Sequence, residues 1–212
     1  MPFNHTTASQ QIDGTSCGCC TSAWGLKVLH EHGLTAVNLT LPNGNNLANQ
    51  AQPTYWNYSD TRMERDLFPM RDGGGAPGLT MPSNIVDVLL RNSNGIKLVL
   101  ETTAGIETVF NNAGYANEVT TLKANIANYA NASHVFMDSY IRRPLSTHLF
   151  SIGLMGRTDG TLHWLFQEAS NGSWCDPGLV GNRHWFKAHT AYTSAGPGTV
   201  GAAVGVNIYV YS

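Results

Sequence analysis

Charged residues are scarce in this sequence. They make up 12% of the 212 residues, about half the usual share of ~25%. The 12 lysines and arginines nearly balance the 14 acidic residues, and the formal net charge is −2. A chain with this balance lacks the basic face that grips nucleic-acid phosphates. We therefore expect no nucleic-acid partner, and neither a coiled coil nor a charge-rich disordered segment.

Long apolar runs are also absent. No stretch approaches the ~18 consecutive apolar residues of a membrane-spanning helix, so we expect no membrane span. Residues 1–7 contain neither a basic region nor an apolar core, and we expect no secretory signal peptide, which leaves a cytoplasmic location or export by another route. Hydrophobic residues still reach 42%, enough for a buried core. The length predicts one domain, covering residues 1–212.

Cysteine is too rare for a disulfide scaffold. The chain has four cysteines, and three of them lie within residues 17–20. Cys17 and Cys20, followed by His30 and His32, supply zinc-ligating atoms, but structural zinc sites space their histidines roughly three to five residues apart. His30 and His32 are two residues apart and point to different sides of a predicted helix. We predict no metal and no other cofactor.

Helical patterns come first along the chain. Residues 17–32 carry apolar side chains at helical spacing on most sides, which predicts a buried helix ended by Gly33. A second helix is predicted over 82–95, with proline in its first turn, and a third over 117–130. The run 71–78 contains three successive glycines and predicts a mobile loop.

Strand patterns follow the helical ones and are concentrated in the C-terminal half. A first apolar run covers residues 96–100. The later strand-like segments are 134–137, 148–155, 162–166, 185–186 and 204–211. Helices followed by antiparallel strands predict the α+β class.

The densest chemical signal is the segment 10–18, which brings a cysteine to the start of the first predicted helix. Cys17 there faces unpaired backbone N–H groups and the positive end of the helix dipole, both of which stabilise a thiolate. Gln11, six residues earlier, supplies a side-chain amide that can donate to an oxyanion beside the sulfur. Cys17 is therefore the predicted nucleophile, and Gln11 the predicted oxyanion donor.

This spacing of Gln11 and Cys17 ahead of a helix resembles the papain-like cysteine peptidases. Residues 15–18 are similar to the peptidase regions of bacteriocin-processing transporters, and residues 10–18 also resemble the SUMO-protease motif. SUMO proteases place their histidine before the cysteine, whereas the candidate histidines here follow it, as in papain. The resemblance implies a papain-like core, in which an N-terminal central helix packs on a C-terminal antiparallel sheet. It also implies an acyl-enzyme mechanism acting on protein or peptide substrates.

Two histidines compete for the role of general base. His148 opens a predicted strand that pairs as a hairpin with the strand containing His163. Papain-like enzymes place the base at the start of such a hairpin, so the resemblance favours His148. The rival pair is His163 with Asp176, because Asp176-Pro177 resembles the Asp-Pro segment of the bacteriocin-processing peptidases. His163 lies between two large apolar residues, which favours a packing role, and we predict His148 as the base.

The residue that orients His148 depends on the hairpin turn. A three-residue turn at 158–160 places Glu168 on the face of His148, whereas a two-residue turn places Gln167 and Asn171 there. We predict Glu168, because a carboxylate stabilises an imidazolium better than an amide does. Glu168, with a glycine four residues later, also resembles a segment of the YopT-type effector proteases, although those enzymes use aspartate.

The predicted function is a cysteine-nucleophile hydrolase of amide bonds, namely a papain-like protease or a bacterial effector or toxin. A peptidoglycan amidase and a glutamine deamidase use the same Cys–His site and stay open as alternatives, with a peptidoglycan peptide as the substrate of the former. A non-catalytic binding module with structural cysteines is the alternative from another class. Only four lysines occur, which suits an effector that avoids ubiquitin in a host cell. Because it lies between nucleophile and base, the loop 71–78 is predicted to border the substrate cleft.

Overall fold

The computed structural model describes the chain in separate stretches. They comprise residues 17–36, 80–103, 105–112, 115–137, 148–157, 162–168, 174–175, 177, 192–193 and 200–212. The predicted loop 71–78 and the predicted strand 185–186 lie outside the described residues. Within the described part of the chain, none of the helices has the length and apolar character that crossing a membrane requires.

Four helices lie within these stretches. They are α1 (Cys17–Glu31), α2 (Pro82–Arg91), α3 (Ile106–Asn112) and α4 (Glu118–Ala127). The prediction missed α3, since only two of its seven residues are buried and so short a stripe has no visible period. Gly33 ends α1 as predicted: its φ is 70°, and the N–H of Leu34 donates to the carbonyl of Leu29 at 2.8 Å.

The described strands form one mixed sheet. They are β1 (Lys97–Thr103), β2 (Ala132–Met137), β3 (Phe150–Arg157), β4 (Leu162–Glu168), β5 (Trp174–Cys175), β6 (Tyr192–Thr193) and β7 (Val200–Tyr211). Their order is β2-β1-β7-β3-β4-β5, and β6 also pairs with β7. The α+β class is confirmed. Of the described strand pairs only β1 and β2 are parallel, and α3 and α4 lie between them in the chain, which the sequence prediction did not include.

The hairpin of β3 and β4 has the register that a three-residue turn at 158–160 gives. Phe150 pairs with Glu168, and every further pair keeps this register along β4. Side chains alternate between the two faces of a strand, so Phe150, Phe166 and Glu168 share one face. His163 belongs to the other set of alternating residues.

Helix α1 packs on the sheet face that carries Phe150 and Phe166. The ring of Trp24 meets that of Phe166 edge to face, with centroids 5.8 Å apart, and Phe150 stacks on Phe166 at 5.4 Å. A Cβ atom at Gly25 would lie 2.9 Å from the Phe150 ring, so a glycine is needed for this close approach. The helix is buried on most sides, and its first turn lies beside the start of β4, near Trp164.

Candidate active site

Cys17 is the first residue of α1 and is buried, with 1% of its surface exposed. It is reduced, and its sulfur accepts a hydrogen bond from the backbone N–H of Trp164, with an N···S distance of 3.5 Å. The first four N–H groups of a helix have no partner within the helix, and its dipole is positive at this end. Both features favour a thiolate at this position, as the sequence predicted.

His163 is the histidine that contacts the Cys17 thiol, to which its ring is hydrogen-bonded. The contact is made at the edge of β4. Strand β5 pairs only with residues 166–167, so among the described strands none covers the edge of β4 beside His163 and Trp164. The thiol at the start of α1 lies along this part of the β4 edge, where it meets the Trp164 N–H as well as the imidazole.

Opposing influences act on the pKa of the Cys17 thiol. Burial is the largest, and it raises the pKa because it disfavours the charged thiolate. The positive charge of the His163 imidazolium and its hydrogen bond lower the pKa, and the backbone N–H groups of Trp164 and Gly18 lower it further. Together these groups outweigh burial, and the pKa of Cys17 falls below that of an ordinary thiol.

His148, the predicted base, lies elsewhere. Its ring packs edge-on against Tyr209 and Tyr211, with centroid distances of 5.2 Å and 6.0 Å. The start of β3 is next to the end of β4, because Phe150 pairs with Glu168. The N-terminus of α1 lies at the opposite end of β4. We therefore correct the expected neighbour of Cys17 from His148 to His163.

Glu168 was predicted to orient His148, and it does not lie near His163. It lies five residues from His163 along β4, which corresponds to about 16 Å in a strand, and on the other face. Gln167, an alternative from the sequence, lies four residues from His163 and its side-chain oxygen accepts a hydrogen bond from the Ser151 hydroxyl at 3.2 Å. Neither side chain is placed to orient the His163 ring.

Gln11, Asn171 and Asp176 lie outside the described residues, and their roles stay predictions. Strand β5, which directly precedes Asp176 in the sequence, nevertheless indicates the direction of the chain there. Strand β5 runs antiparallel to β4, and therefore toward the end of β4 that carries His163. Asp176 follows β5 directly in the sequence, and it is the acid that the rival sequence interpretation paired with His163.

Gly18 brings the first turn of α1 against two other parts of the chain. A Cβ atom at this position would lie 2.4 Å from the Cβ of Thr80 and 2.8 Å from Cδ1 of Trp164. The Trp164 indole N–H donates to the carbonyl of Thr80 at 2.8 Å. Helix α1, β4 and Thr80, two residues before α2, thus converge beside Cys17, and neither Thr80 nor Trp164 was predicted from the sequence. Trp164 could have been found only by predicting that α1 meets the hairpin near the start of β4.

Replacing Gly18 with alanine is expected to lower the free energy of unfolding by about 1–3 kcal/mol, because the added methyl group overpacks the contact with Thr80. Alanine improves helix propensity by at most about 1 kcal/mol, which does not offset this loss. Urea unfolding measures the change. Gly105→Ala is the matched control, since a Cβ atom at Gly105 would meet nothing within 4 Å. Equal stability of the two variants would contradict the close packing at Gly18.

The described residues contain no group of three or more histidine, cysteine or acidic side chains that could hold a metal ion. Comparisons with protein-family models, with curated proteins and with solved structures found no match. The chemistry of the site is therefore inferred from its own geometry.

Proposed function

We propose that the protein is a cysteine-nucleophile hydrolase of amide bonds, with Cys17 as nucleophile and His163 as general base and acid. The observation that carries this proposal is the hydrogen bond between the His163 ring and a helix-terminal thiol whose pKa is lowered despite burial. A cysteine with no chemical role, when buried among apolar groups, has a raised pKa instead. A nucleophile hydrogen-bonded to a base is the pair that covalent catalysis requires.

The chemistry follows from the positions of the two side chains. The Cys17 thiolate attacks the carbonyl carbon of the amide, and the resulting oxyanion collapses to a thioester as the C–N bond breaks. The His163 imidazolium gives its proton to the leaving amine. His163, now neutral, takes a proton from water, which attacks the thioester and releases the acid. The tetrahedral intermediate then collapses, the C–S bond breaks, and the Cys17 thiolate leaves while His163 keeps the proton, which restores the starting thiolate–imidazolium pair.

Two residues outside the described stretches complete the proposed site. Asp176 is the proposed partner that orients His163, in place of the Glu168 predicted for His148. Gln11 keeps its predicted role as donor to the oxyanion. The packing of an N-terminal helix on antiparallel strands, with the nucleophile at the helix start, supports a papain-like core.

A protein or peptide is the proposed substrate class. A peptidoglycan amidase and a glutamine deamidase would use the same Cys–His pair, because each also forms a thioester after attack on an amide carbonyl. The three activities differ only in the group that leaves, so their products distinguish them.

A non-catalytic binding module is the second candidate, and the burial of Cys17 favours it. With 1% of its surface exposed, the sulfur is reached by a substrate carbonyl only when the groups that cover it move. A structural thiol has no need of such movement. The lowered thiol pKa and the hydrogen-bonded imidazole favour the enzyme, because a cysteine that only packs in the core requires neither of them.

Products formed by the wild-type protein and by Cys17→Ala decide between these candidates. Each protein is incubated with a peptide library, with a glutamine-rich protein and with purified peptidoglycan, and products are read by mass spectrometry. We expect new amino termini in the peptide library with the wild type and none with Cys17→Ala. Ammonia release from glutamine, or soluble muropeptides, would transfer the activity to a deamidase or an amidase. No product in any pool would contradict the hydrolase and favour the binding module.

A further inference from the structure

A second thiol lies on the same side of α1 as the proposed nucleophile. Cys20 follows Cys17 by three residues, and both are reduced and almost completely buried, with exposures of 0% and 1%. The proposed hydrolysis uses Cys17 and has no role for Cys20. The described residues contain no group of three or more histidine, cysteine or acidic side chains that could hold a metal ion around the pair.

The spacing of the two cysteines brings their side chains together. Residues three apart in a helix lie on one face, with Cβ atoms about 5–6 Å apart. A disulfide needs Cβ atoms roughly 3.5–4.5 Å apart, so only a small movement of the first turn joins the two sulfurs. The variant Cys19→Ser, at the cysteine between them in the sequence, serves as the control.

The two cysteines need little backbone movement, because Cα atoms three residues apart in a helix lie about 5 Å apart, within the roughly 4.4–6.8 Å that a disulfide spans. The hydroxyls of Thr21 and Ser22 both donate to the carbonyl of Gly18, at 3.0 Å and 2.7 Å. Hydroxyls that compete for a helix carbonyl in this way weaken and bend the turn.

We propose that Cys17 and Cys20 form a reversible disulfide that switches the site off in the presence of a peroxide. The Cys17 thiolate attacks one peroxide oxygen, the O–O bond breaks, and Cys17 becomes a sulfenic acid as water is released. The Cys20 sulfur then attacks the Cys17 sulfur, the S–O bond breaks, and a second water leaves. Two thiols are oxidised, one peroxide is reduced to two waters, and an external dithiol reverses the reaction by exchange.

The disulfide inactivates the nucleophile reversibly, and it also protects Cys17 from irreversible oxidation. A sulfenic acid with no neighbouring thiol is oxidised further to the sulfinic and sulfonic acids, which are not recovered by dithiols. Cys20 captures the sulfenic acid first. The disulfide also removes the thiolate that His163 holds, so hydrolysis stops until a dithiol restores it. This regulatory consequence rests on the proposed hydrolase, whereas the disulfide chemistry does not.

The test is a thiol map of the whole protein after treatment with stoichiometric hydrogen peroxide. Thiols left reduced are alkylated, the disulfides are opened with dithiothreitol, and the newly released thiols take a second, heavier label. We expect Cys17 and Cys20 to carry the second label and Cys19 to carry the first. In Cys20→Ser, we expect Cys17 to gain two or three oxygens and to resist dithiothreitol. Cys19→Ser should behave as the wild type does.

Several outcomes would overturn the switch. They are irreversible oxidation of Cys17 in the wild type, linkage of Cys17 to Cys19 or Cys175, and equal protection of Cys17 in Cys20→Ser. The wild-type map decides the question even where Cys20→Ser fails to fold. If the disulfide forms but the protein gives no hydrolytic products, the proposed hydrolase is wrong and the disulfide chemistry is supported. The failures of the two proposals are therefore distinguishable.

Discussion

Replacing His163 with alanine is expected to slow product formation by about 10²–10⁴-fold, the range that a general acid–base group contributes. His163 is hydrogen-bonded to the Cys17 thiol, and its charge is the strongest influence that lowers the thiol pKa. Without it, burial raises that pKa, and little thiolate remains near neutral pH. The rate of Cys17 alkylation against pH provides a second readout, which we expect to move to higher pH in His163→Ala.

His148→Ala is the matched control for this experiment. Both histidines are buried, with 1% and 6% exposure, so both changes remove a packed ring and lower stability. The His148 ring packs on Tyr209 and Tyr211, away from the thiol, and its loss is expected to leave the alkylation profile unchanged. A shifted profile in His148→Ala, with an unshifted one in His163→Ala, would restore His148 as the base.

Asp176→Asn is expected to have the second largest effect, a loss of roughly 10²–10⁴-fold in product formation. A carboxylate that accepts a hydrogen bond from the base holds the imidazole in the tautomer that can take the nucleophile's proton, and it stabilises the imidazolium. The amide keeps the shape of the side chain and loses its charge. The rate of product formation measures the effect, and the alkylation profile shows whether the thiolate–imidazolium pair is weakened.

Glu168→Gln tests the opposite assignment with the same chemical change. Glu168 is buried at the far end of β4, where it pairs with Phe150. We expect this variant to change stability and to keep its rate within a few-fold of the wild type. Loss of activity in Glu168→Gln alone, with Asp176→Asn unaffected, would contradict the proposed partner of His163.

Local features of the site were readable from the sequence. The apolar pattern after Cys17 gave a helix that starts at this residue, and Gly33 marked its end through the left-handed conformation that glycine adopts without strain. The strand patterns around the turn at 158–160 led to the two strands of the hairpin and, among the registers considered, to the one observed. Each of these features depends on a short stretch of chain.

The identity of the histidine depended on something that no short stretch contains. His148 and His163 lie at opposite ends of one hairpin, and either can be the base until the direction of α1 across the sheet is known. Two contacts fix that direction, since Gly18 in the first turn lies against Trp164 and Gly25 lies against Phe150 at the other end of the hairpin. The helix start therefore lies beside His163. Large apolar neighbours suggested a packing role for His163. In the structure His163 contacts the Cys17 thiol, and the N–H of its neighbour Trp164 also donates to the sulfur.

The most direct test of the account is to find which cysteine reacts first. The wild-type protein is treated briefly with iodoacetamide at about pH 6.5, well below the ordinary thiol pKa of about 8.5, and all four cysteines are then mapped by mass spectrometry. Because the pKa of Cys17 is lowered by His163 and the helix start, we expect Cys17 to be labelled first, and this preference to disappear in His163→Ala. Preferential labelling of Cys20, or uniformly slow labelling of every cysteine, would contradict an activated nucleophile at Cys17.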